Sequence, residues 1–196
     1  MAYLARDPVG DEEMLWIALA ALAGAIAVNC VAVWAQRRHR FHDRVFGRWA
    51  WPAHIALLVV VWGAAVALVA VLVVVGPEPS WPLPAWVRPL GLVVSVSASV
   101  VFGLAIRALG AQALFNGNFF GRGRLAEGGI YAVLADPMYV AYTLSFVSLT
   151  LRQADAVYLL FALVSLVGLQ GVEARVERFD VAAAIAAGSA PAPDQR

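Results

Sequence analysis

The stretch Trp49–Val75 reads WAWPAHIALLVVVWGAAVALVAVLVVV and contains no charged residue. An α-helix needs about 20 predominantly apolar residues to cross a hydrocarbon core roughly 30 Å thick. Three further apolar stretches, Met14–Ala35, Pro89–Leu109 and Ala156–Val172, reach or nearly reach that length. Because 62% of the 196 residues are hydrophobic, the composition excludes an ordinary soluble domain and indicates several membrane-spanning helices.

A fifth apolar stretch, Pro137–Leu151, is shorter than the others. As a helix it would be about 22 Å long, because an α-helix rises 1.5 Å per residue. We therefore expect this helix to begin below the membrane surface, with its N-terminal end recessed in the bilayer. The sequence predicts an all-α polytopic membrane protein with about five transmembrane helices.

The arginines predict the orientation of these helices. The loops on one side carry only Arg88 and Arg152, and the N-terminal tail is mainly acidic. Basic loops remain in the cytoplasm, so we expect the N-terminus outside and the C-terminus in the cytoplasm. This placement also explains the arginines without nucleic-acid binding, which nothing in the sequence indicates. The arginines of the cytoplasmic segments are Arg37, Arg38, Arg40, Arg44, Arg48, Arg107, Arg122, Arg124, Arg175 and Arg178.

The composition divides the chain into four segments. Residues 1–13 form a predicted extracytoplasmic tail, and residues 14–109 contain three membrane helices. Residues 110–180 combine a cytoplasmic loop with a helical hairpin. Residues 181–196 are rich in alanine, proline, glycine and serine, a composition typical of a disordered tail.

Two features are interpreted as structural. His39 and His42 could ligate a metal, but they lie among arginines with only Asp43 nearby, so we interpret them as part of a charged run facing lipid headgroups. No metal site is predicted. In the third predicted span a small residue recurs at every fourth position, which predicts a close helix–helix contact. These small residues are Gly91, Ser95, Ser99 and Gly103.

A polar, turn-rich segment, Gly128–Tyr139, interrupts the apolar sequence. Within it, Asp136 is a favoured N-cap residue and Pro137 a favoured first helical residue, so together they predict the start of a helix. A second polar cluster, Glu173–Phe179, closes the last apolar stretch. Charged segments at the ends of neighbouring membrane helices are where a membrane enzyme would place its site.

The order and spacing of three motifs closely resemble the isoprenylcysteine carboxyl methyltransferase family, part of a wider group that includes phospholipid N-methyltransferases. The motifs are Leu125–Tyr131, Asp136–Tyr139 and Arg175–Phe179, and the resemblance covers Arg107–Phe179. It implies the cofactor S-adenosylmethionine, bound in a pocket on the cytoplasmic side. It also implies a lipid-like substrate that enters sideways from the bilayer.

The resemblance also implies roles for individual residues. Glu177 would hold the cofactor, and Arg175 would orient an anionic acceptor; these are the implied catalytic residues. A buried carboxylate would offset the desolvation of the cationic cofactor, and an arginine suits a carboxylate acceptor. The other implied cofactor-binding residues are Arg124, Leu125, Ala126, Tyr131, Asp136, Pro137, Met138 and Tyr139.

The leading hypothesis is therefore an S-adenosylmethionine-dependent methyltransferase acting on a small lipidic or isoprenoid acceptor, with a carboxylate favoured. Isoprenylcysteine, a phospholipid amine, an isoprenoid acid and a small volatile amine or thiol all stay open as acceptors, and so does the oligomeric state. The absence of lysine and the heavy use of alanine, valine, arginine and glycine favour a bacterial plasma membrane.

Two alternatives remain. A degenerate, non-catalytic membrane or partner protein is favoured by Ala135-Asp136, which stands where the family has Arg-His, and by Arg178, which stands where it has a second glutamate. A sterol or steroid reductase using NADPH is disfavoured, because Met138–Tyr142 does not match the Asn-Tyr-x-Gly-Glu-like element of such enzymes.

Overall fold

The described part of the chain is built from helices. A computed structural model describes residues 8–75, 81–121 and 128–173, and no β-strand occurs within these ranges. The predicted disordered tail, 181–196, lies outside them. The main helices are α1 (Pro8–His39), α2 (Phe41–Phe46), α3 (Ala50–Val75), α4 (Val87–Leu109), α5 (Pro137–Gln153) and α6 (Val157–Ser165), which continues as a π-helical segment, Leu166–Glu173. Short 3₁₀ turns cover Gly47–Trp49, Ala111–Phe115, Gly117–Phe120 and Gly129–Ala132.

Three helical stretches of the described chain are long and apolar enough to cross a membrane. They are Glu12–His39, Phe41–Val75 and Val87–Leu109, and Val157–Glu173 forms a shorter apolar helix. This confirms the prediction of an all-α protein with membrane-spanning helices. The number of spans and their direction through the bilayer stay predictions.

The chain changes direction between α1 and α3. Arg40 adopts a left-handed conformation, with φ of 49°, and ends the continuous helix after His39. As a result the two histidines separate: His39 lies against Trp34, whereas His42 is buried with its ring 5.0 Å from that of His54. Within the described residues, no group of three or more histidine, cysteine or acidic side chains could hold a metal ion.

Helix α4 packs mainly against α5, but not along the predicted stripe of small residues. Gly91 is buried, as predicted, and its carbonyl accepts a hydrogen bond of 2.9 Å from the Ser148 hydroxyl. Ser99 and Gly103 are exposed, however, so an internal contact along the stripe is not formed at these two positions. Besides Val87 in the first turn, the buried residues of α4 are Gly91, Ala98 and Ala105, which lie seven positions apart because two turns of helix return a side chain to the same face.

Helices α5 and α6 form a hairpin with a tight turn. Ala154 ends α5 in a left-handed conformation, and the Asp155 carboxylate accepts a hydrogen bond of 2.9 Å from the Val157 amide at the start of α6. The Ala154 carbonyl accepts a further hydrogen bond of 2.9 Å from the Trp81 amide. The first bond stabilises the turn itself, and the second connects the hairpin to the segment that leads into α4.

Helix α1 contacts both α3 and the last helix, and the main apolar core lies along it. Gly168 approaches α1 so closely that a Cβ there would lie 2.8 Å from Cδ1 of Ile26. The core residues include Leu15, Leu22, Leu72, Phe161 and Leu169.

The first turn of α5 is level with Asn29, ten residues before the end of α1. Tyr139, in the first turn of α5, donates a hydrogen bond of 3.2 Å to Glu173, which in turn bonds Asn29 of α1. Asn29 precedes the end of α1 at His39 by about 15 Å, at 1.5 Å per residue. The start of α5 is therefore level with Asn29 rather than with the end of α1, and its depth in a bilayer stays a prediction.

The close approach of α4 and α5 predicts a specific sensitivity at Gly91. A Cβ there would lie 2.7 Å from Cγ of Arg152 and 3.1 Å from its backbone nitrogen, so Gly91→Ala forces the two helices apart. We expect a loss of about 1–3 kcal/mol in the free energy of unfolding, the usual cost of overpacking.

Gly103→Ala on the same helix is the matched control, because a Cβ at Gly103 meets nothing within 4 Å. Thermal unfolding in detergent would measure both variants. Equal melting temperatures for the two would contradict the prediction.

Candidate functional site

A cavity of about 450 Å³ lies where most of the helices meet. Its wall is formed by α1, α3, α4, the turn Ala111–Phe115, α5 and the last residue of the π-helical segment. Most of the lining is apolar or aromatic, with a few polar groups, which is the usual composition of a small-molecule site. Its principal side chains are Asn29, Trp62, Phe102, Asn116, Met138, Tyr139, Tyr142 and Glu173.

The polar part of the cavity is a hydrogen-bonded chain centred on Glu173. The Asn116 amide donates to the Asn29 side-chain oxygen at 2.8 Å, and the Asn29 amide donates to Oε1 of Glu173. The Tyr139 hydroxyl donates to the same oxygen at 3.2 Å. Glu173 is only 3% exposed and Asn29 only 2%. A buried carboxylate is costly unless it is hydrogen-bonded, and these donors compensate for part of that cost.

The aromatic part of the cavity lies beside the polar part. The Trp62 and Tyr142 rings are nearly parallel, with an interplanar angle of 14° and centroids 6.2 Å apart. Phe102 contributes a third ring, whose centroid is 5.5 Å from that of Tyr142. The negative faces of aromatic rings attract cations, and so does a carboxylate. The cavity is therefore suited to a positively charged, partly apolar ligand.

The loop after α4 positions Asn116 by folding back beneath α1 and α3. Asn116 itself is left-handed, with φ of 55°, a conformation that asparagine tolerates better than most residues. Gly117 follows at a close approach, since a Cβ there would lie 3.0 Å from the Gln112 carbonyl oxygen and 3.3 Å from the Trp51 ring. Phe120 then inserts beside His54, with ring centroids 4.9 Å apart.

The segment that precedes α5 places a tyrosine close to a carboxylate. Asp136 is the N-cap residue of α5 and Pro137 the first helical residue, as predicted, but the Asp136 side chain makes no capping hydrogen bond. Asp136 is exposed, and Tyr131 is half-buried nearby. Burial, with a smaller contribution from the negative charge of Asp136, raises the pKa of Tyr131 to about 12.

The predicted site residues fall into three groups. Met138 and Tyr139 line the cavity, and Pro137 is buried beside them at the start of α5. Tyr131 and Asp136 lie close to each other but do not line it. The remaining predicted residues, Arg124, Leu125, Ala126, Arg175 and Glu177, lie outside the described residues, so their placement stays a prediction.

The sequence interpretation missed three polar residues of the cavity: Asn29, Asn116 and Glu173. Glu173 belongs to the polar cluster at the end of the last apolar stretch, but Glu177 was selected from that cluster on the basis of the resemblance. Asn29 is an uncharged polar residue in the middle of an apolar stretch. Polar residues at such positions commonly face the interior of a helix bundle, which is the signal that could have identified it.

The environment of Tyr131 predicts that its phenol stays neutral over the physiological pH range. Because the pKa in the folded chain, about 12, exceeds the ordinary value of 10.0, the folded state favours the neutral phenol. This stabilising contribution is present below pH 10.0 and is lost as the pH rises to about 12. Comparing tyrosinate absorbance of the wild type and Tyr131→Phe during a pH titration would measure it.

Asp136→Asn should lower the pKa of Tyr131 without restoring the ordinary value, because burial is the larger cause and is unchanged by the substitution. An unchanged titration in this variant would contradict the proximity of the two side chains.

Comparison with known proteins agrees with the resemblance seen in the motifs. Residues 86–180 match the family model described as phospholipid methyltransferase. Neither a curated protein nor a solved structure shows significant similarity to the chain. The matched segment contains α4, α5 and α6 together with Asn116, Tyr139 and Glu173 of the cavity. Over this segment, just under half of the chain, the protein is therefore similar to the phospholipid methyltransferase family, which includes membrane methyltransferases of the isoprenylcysteine carboxyl methyltransferase type.

Proposed function

We propose that this protein is an S-adenosylmethionine-dependent methyltransferase that acts on a small lipidic or isoprenoid acceptor at the cytoplasmic face of a bacterial plasma membrane. The match of residues 86–180 to the family model and the apolar helices support a membrane methyltransferase. The observation that carries the proposal is the cavity to which the family-matched segment contributes Glu173, whose buried carboxylate lies beside aromatic rings.

The residues of the cavity fit the proposed cofactor. S-adenosylmethionine has a sulfonium and an ammonium group, and the first supplies an electrophilic methyl group for transfer. The Glu173 carboxylate and the Trp62 and Tyr142 rings are all groups that stabilise a cation removed from water. The cavity volume of about 450 Å³ is in the usual range for a small-molecule site.

The contribution of the chain to the reaction would be mainly positional. Methyl transfer from a sulfonium is an in-line displacement that needs little acid–base assistance. Holding the reactants in line can therefore supply much of the reduction in the activation free energy. Tyr139 and Met138 would contact the cofactor from α5, as the resemblance implies. Glu177 and Arg175 keep their proposed roles, in holding the cofactor and in orienting a carboxylate acceptor.

A lipidic acceptor could reach the cavity from the bilayer between α3 and α4. Helix α3 packs mainly against α1, and α4 mainly against α5. The cavity is lined on the α3 side by Val59, Gly63 and Val66, all of which are exposed, and on the α4 side by Phe102. Exposed apolar residues on a membrane helix face lipid, so a hydrocarbon chain could occupy this opening without crossing polar surface.

Binding of the cofactor is the first test. We expect S-adenosylmethionine and S-adenosylhomocysteine to raise the melting temperature of the detergent-purified protein, because a ligand that binds only the folded state stabilises it by about 2.7 kcal/mol at a hundred times its Kd. Glu173→Gln and Glu177→Ala should each reduce this stabilisation. Glu13→Gln, which changes an exposed glutamate, is the control.

No stabilisation of a cooperatively unfolding wild type at millimolar cofactor would contradict the proposal. It would instead favour a non-catalytic member of the family, the alternative that Ala135-Asp136 and Arg178 suggest.

Access from the bilayer is tested at Gly63. Because a Cβ there meets nothing within 4 Å, Gly63→Leu should fill part of the opening without disturbing the helices. We expect methylation of a long-chain acceptor to fall about tenfold or more, the scale that misplaced reactants produce. The melting temperature should stay close to that of the wild type, and the affinity for the cofactor should fall by a smaller factor than the methylation rate.

Gly24→Leu is the matched control, since Gly24 is also an exposed glycine of a long helix with nothing within 4 Å of its Cβ, and it does not line the cavity. Equal activity of the two variants on long-chain acceptors would exclude this route.

A further inference from the structure

One polar side chain of the cavity comes from outside the family-matched segment. Tyr139, Asn116 and Glu173 all lie within residues 86–180, whereas Asn29 lies in α1. Asn29 nevertheless occupies the middle of the hydrogen-bonded chain, between Asn116 and Glu173. The family-matched segment therefore does not contain the whole polar centre of the cavity.

The chemistry of this position requires a group that donates and accepts at the same time. The side-chain amide of Asn29 accepts from Asn116 through its oxygen and donates to Glu173 through its nitrogen. An asparagine amide has both an acceptor oxygen and two donor hydrogens. Aspartate would lose the donor and place a second carboxylate against Glu173, and leucine would provide neither group.

We propose that Asn29 is a positioning residue, which holds the Glu173 carboxylate in the orientation that receives the cationic part of the cofactor. This inference rests on the proposed function. Asn29 acts through Glu173, and Asn116 fixes the orientation of the Asn29 amide. In this way α1 completes a site whose other polar members belong to the family-matched segment.

Because both side chains are buried, we expect loss of this one hydrogen bond to have a large effect on cofactor affinity. With Asn29 at 2% and Glu173 at 3% exposure, little water can replace a lost donor. A hydrogen bond to a charged group is stronger than one between neutral groups and orients the acceptor. Tyr139 donates to the same carboxylate oxygen from α5, so Asn29 and Tyr139 constrain that oxygen from two different helices.

The test measures the affinity of the full-length, detergent-purified protein for S-adenosylmethionine. Asn29→Leu should raise the Kd by about tenfold to a hundredfold, the range for one hydrogen bond to a charged group. Asn116→Gly should raise it by a smaller factor, because glycine adopts the left-handed conformation of Asn116 easily and only the side-chain amide is removed. Asn118→Gly removes an amide from the next turn that does not line the cavity, and it should leave the Kd unchanged.

A double variant separates positioning from a general effect on folding. If Asn29 acts through the carboxylate, Asn29→Leu should have no further effect on the Kd in a Glu173→Gln background. A merely structural role would weaken binding by the same factor in both backgrounds. Should Asn29→Leu not fold, the comparison of Asn116→Gly in the two backgrounds gives the same answer.

The outcomes also distinguish this inference from the proposed function. If the wild type binds no S-adenosylmethionine, the proposed function fails, and the inference fails with it. If the wild type binds, and Asn29→Leu and Asn116→Gly bind with the same Kd, the inference alone is overturned. An equal loss in the presence and absence of the Glu173 carboxylate overturns it as well.

Discussion

The hydrogen bond from Asn29 to Glu173 joins two residues that are 144 positions apart in the chain, and the polar centre of the cavity depends on it. A carboxylate at 3% exposure among apolar helices needs donors that stay in place. Those donors come from α1 and α5, and the loop after α4 holds the first of them through Asn116. The hydrogen bonds around one buried acidic group thus connect four parts of the chain: α1, the loop after α4, α5 and the end of the π-helical segment.

The π-helical segment Leu166–Glu173 is the local feature that makes this arrangement possible. Its wider turn changes the direction in which each side chain leaves the helix, compared with a continuous α-helix, and Glu173 lies at its end. Such segments are rare and frequently occur at functional sites. Gly168 and Gly171 lie within it, and glycine disfavours a regular α-helix, while Gly168 also permits the close contact with Ile26 of α1.

Apolar length and turn chemistry were enough to predict most of the fold. The stretch Trp49–Val75 differs by one residue from α3, Ala50–Val75, and Asp136-Pro137 predicted the start of α5 correctly. These features are local, because they depend on length and on the residues that flank each helix. Which face of a helix is buried depends on neighbouring helices that are distant in sequence. For that reason the predicted contact along Gly91, Ser95, Ser99 and Gly103 was only partly correct.

The candidate site was predictable only in part, for the same reason. Met138 and Tyr139 could be found because a motif near the start of a helix is contiguous in sequence. Asn29 could not be assigned to the site from spacing, since its partners Asn116 and Glu173 lie 87 and 144 positions away. The direction of the Glu173 side chain at the end of a π-helical segment could not be predicted either, because a sequence pattern does not give that direction.

The residues at which this chain differs from the family motifs matter less if they lie away from the polar centre of the cavity. Ala135-Asp136 replaces an Arg-His pair, but Asp136 is exposed and does not line the cavity. The buried carboxylate and its donors Asn29 and Tyr139 are present regardless of that replacement. A substitution in a motif removes activity only if it removes a group that the ligand contacts or that positions such a group. Under the proposed function, the test of whether this chain is active is therefore the polar centre around Glu173 rather than the count of motif residues it has lost.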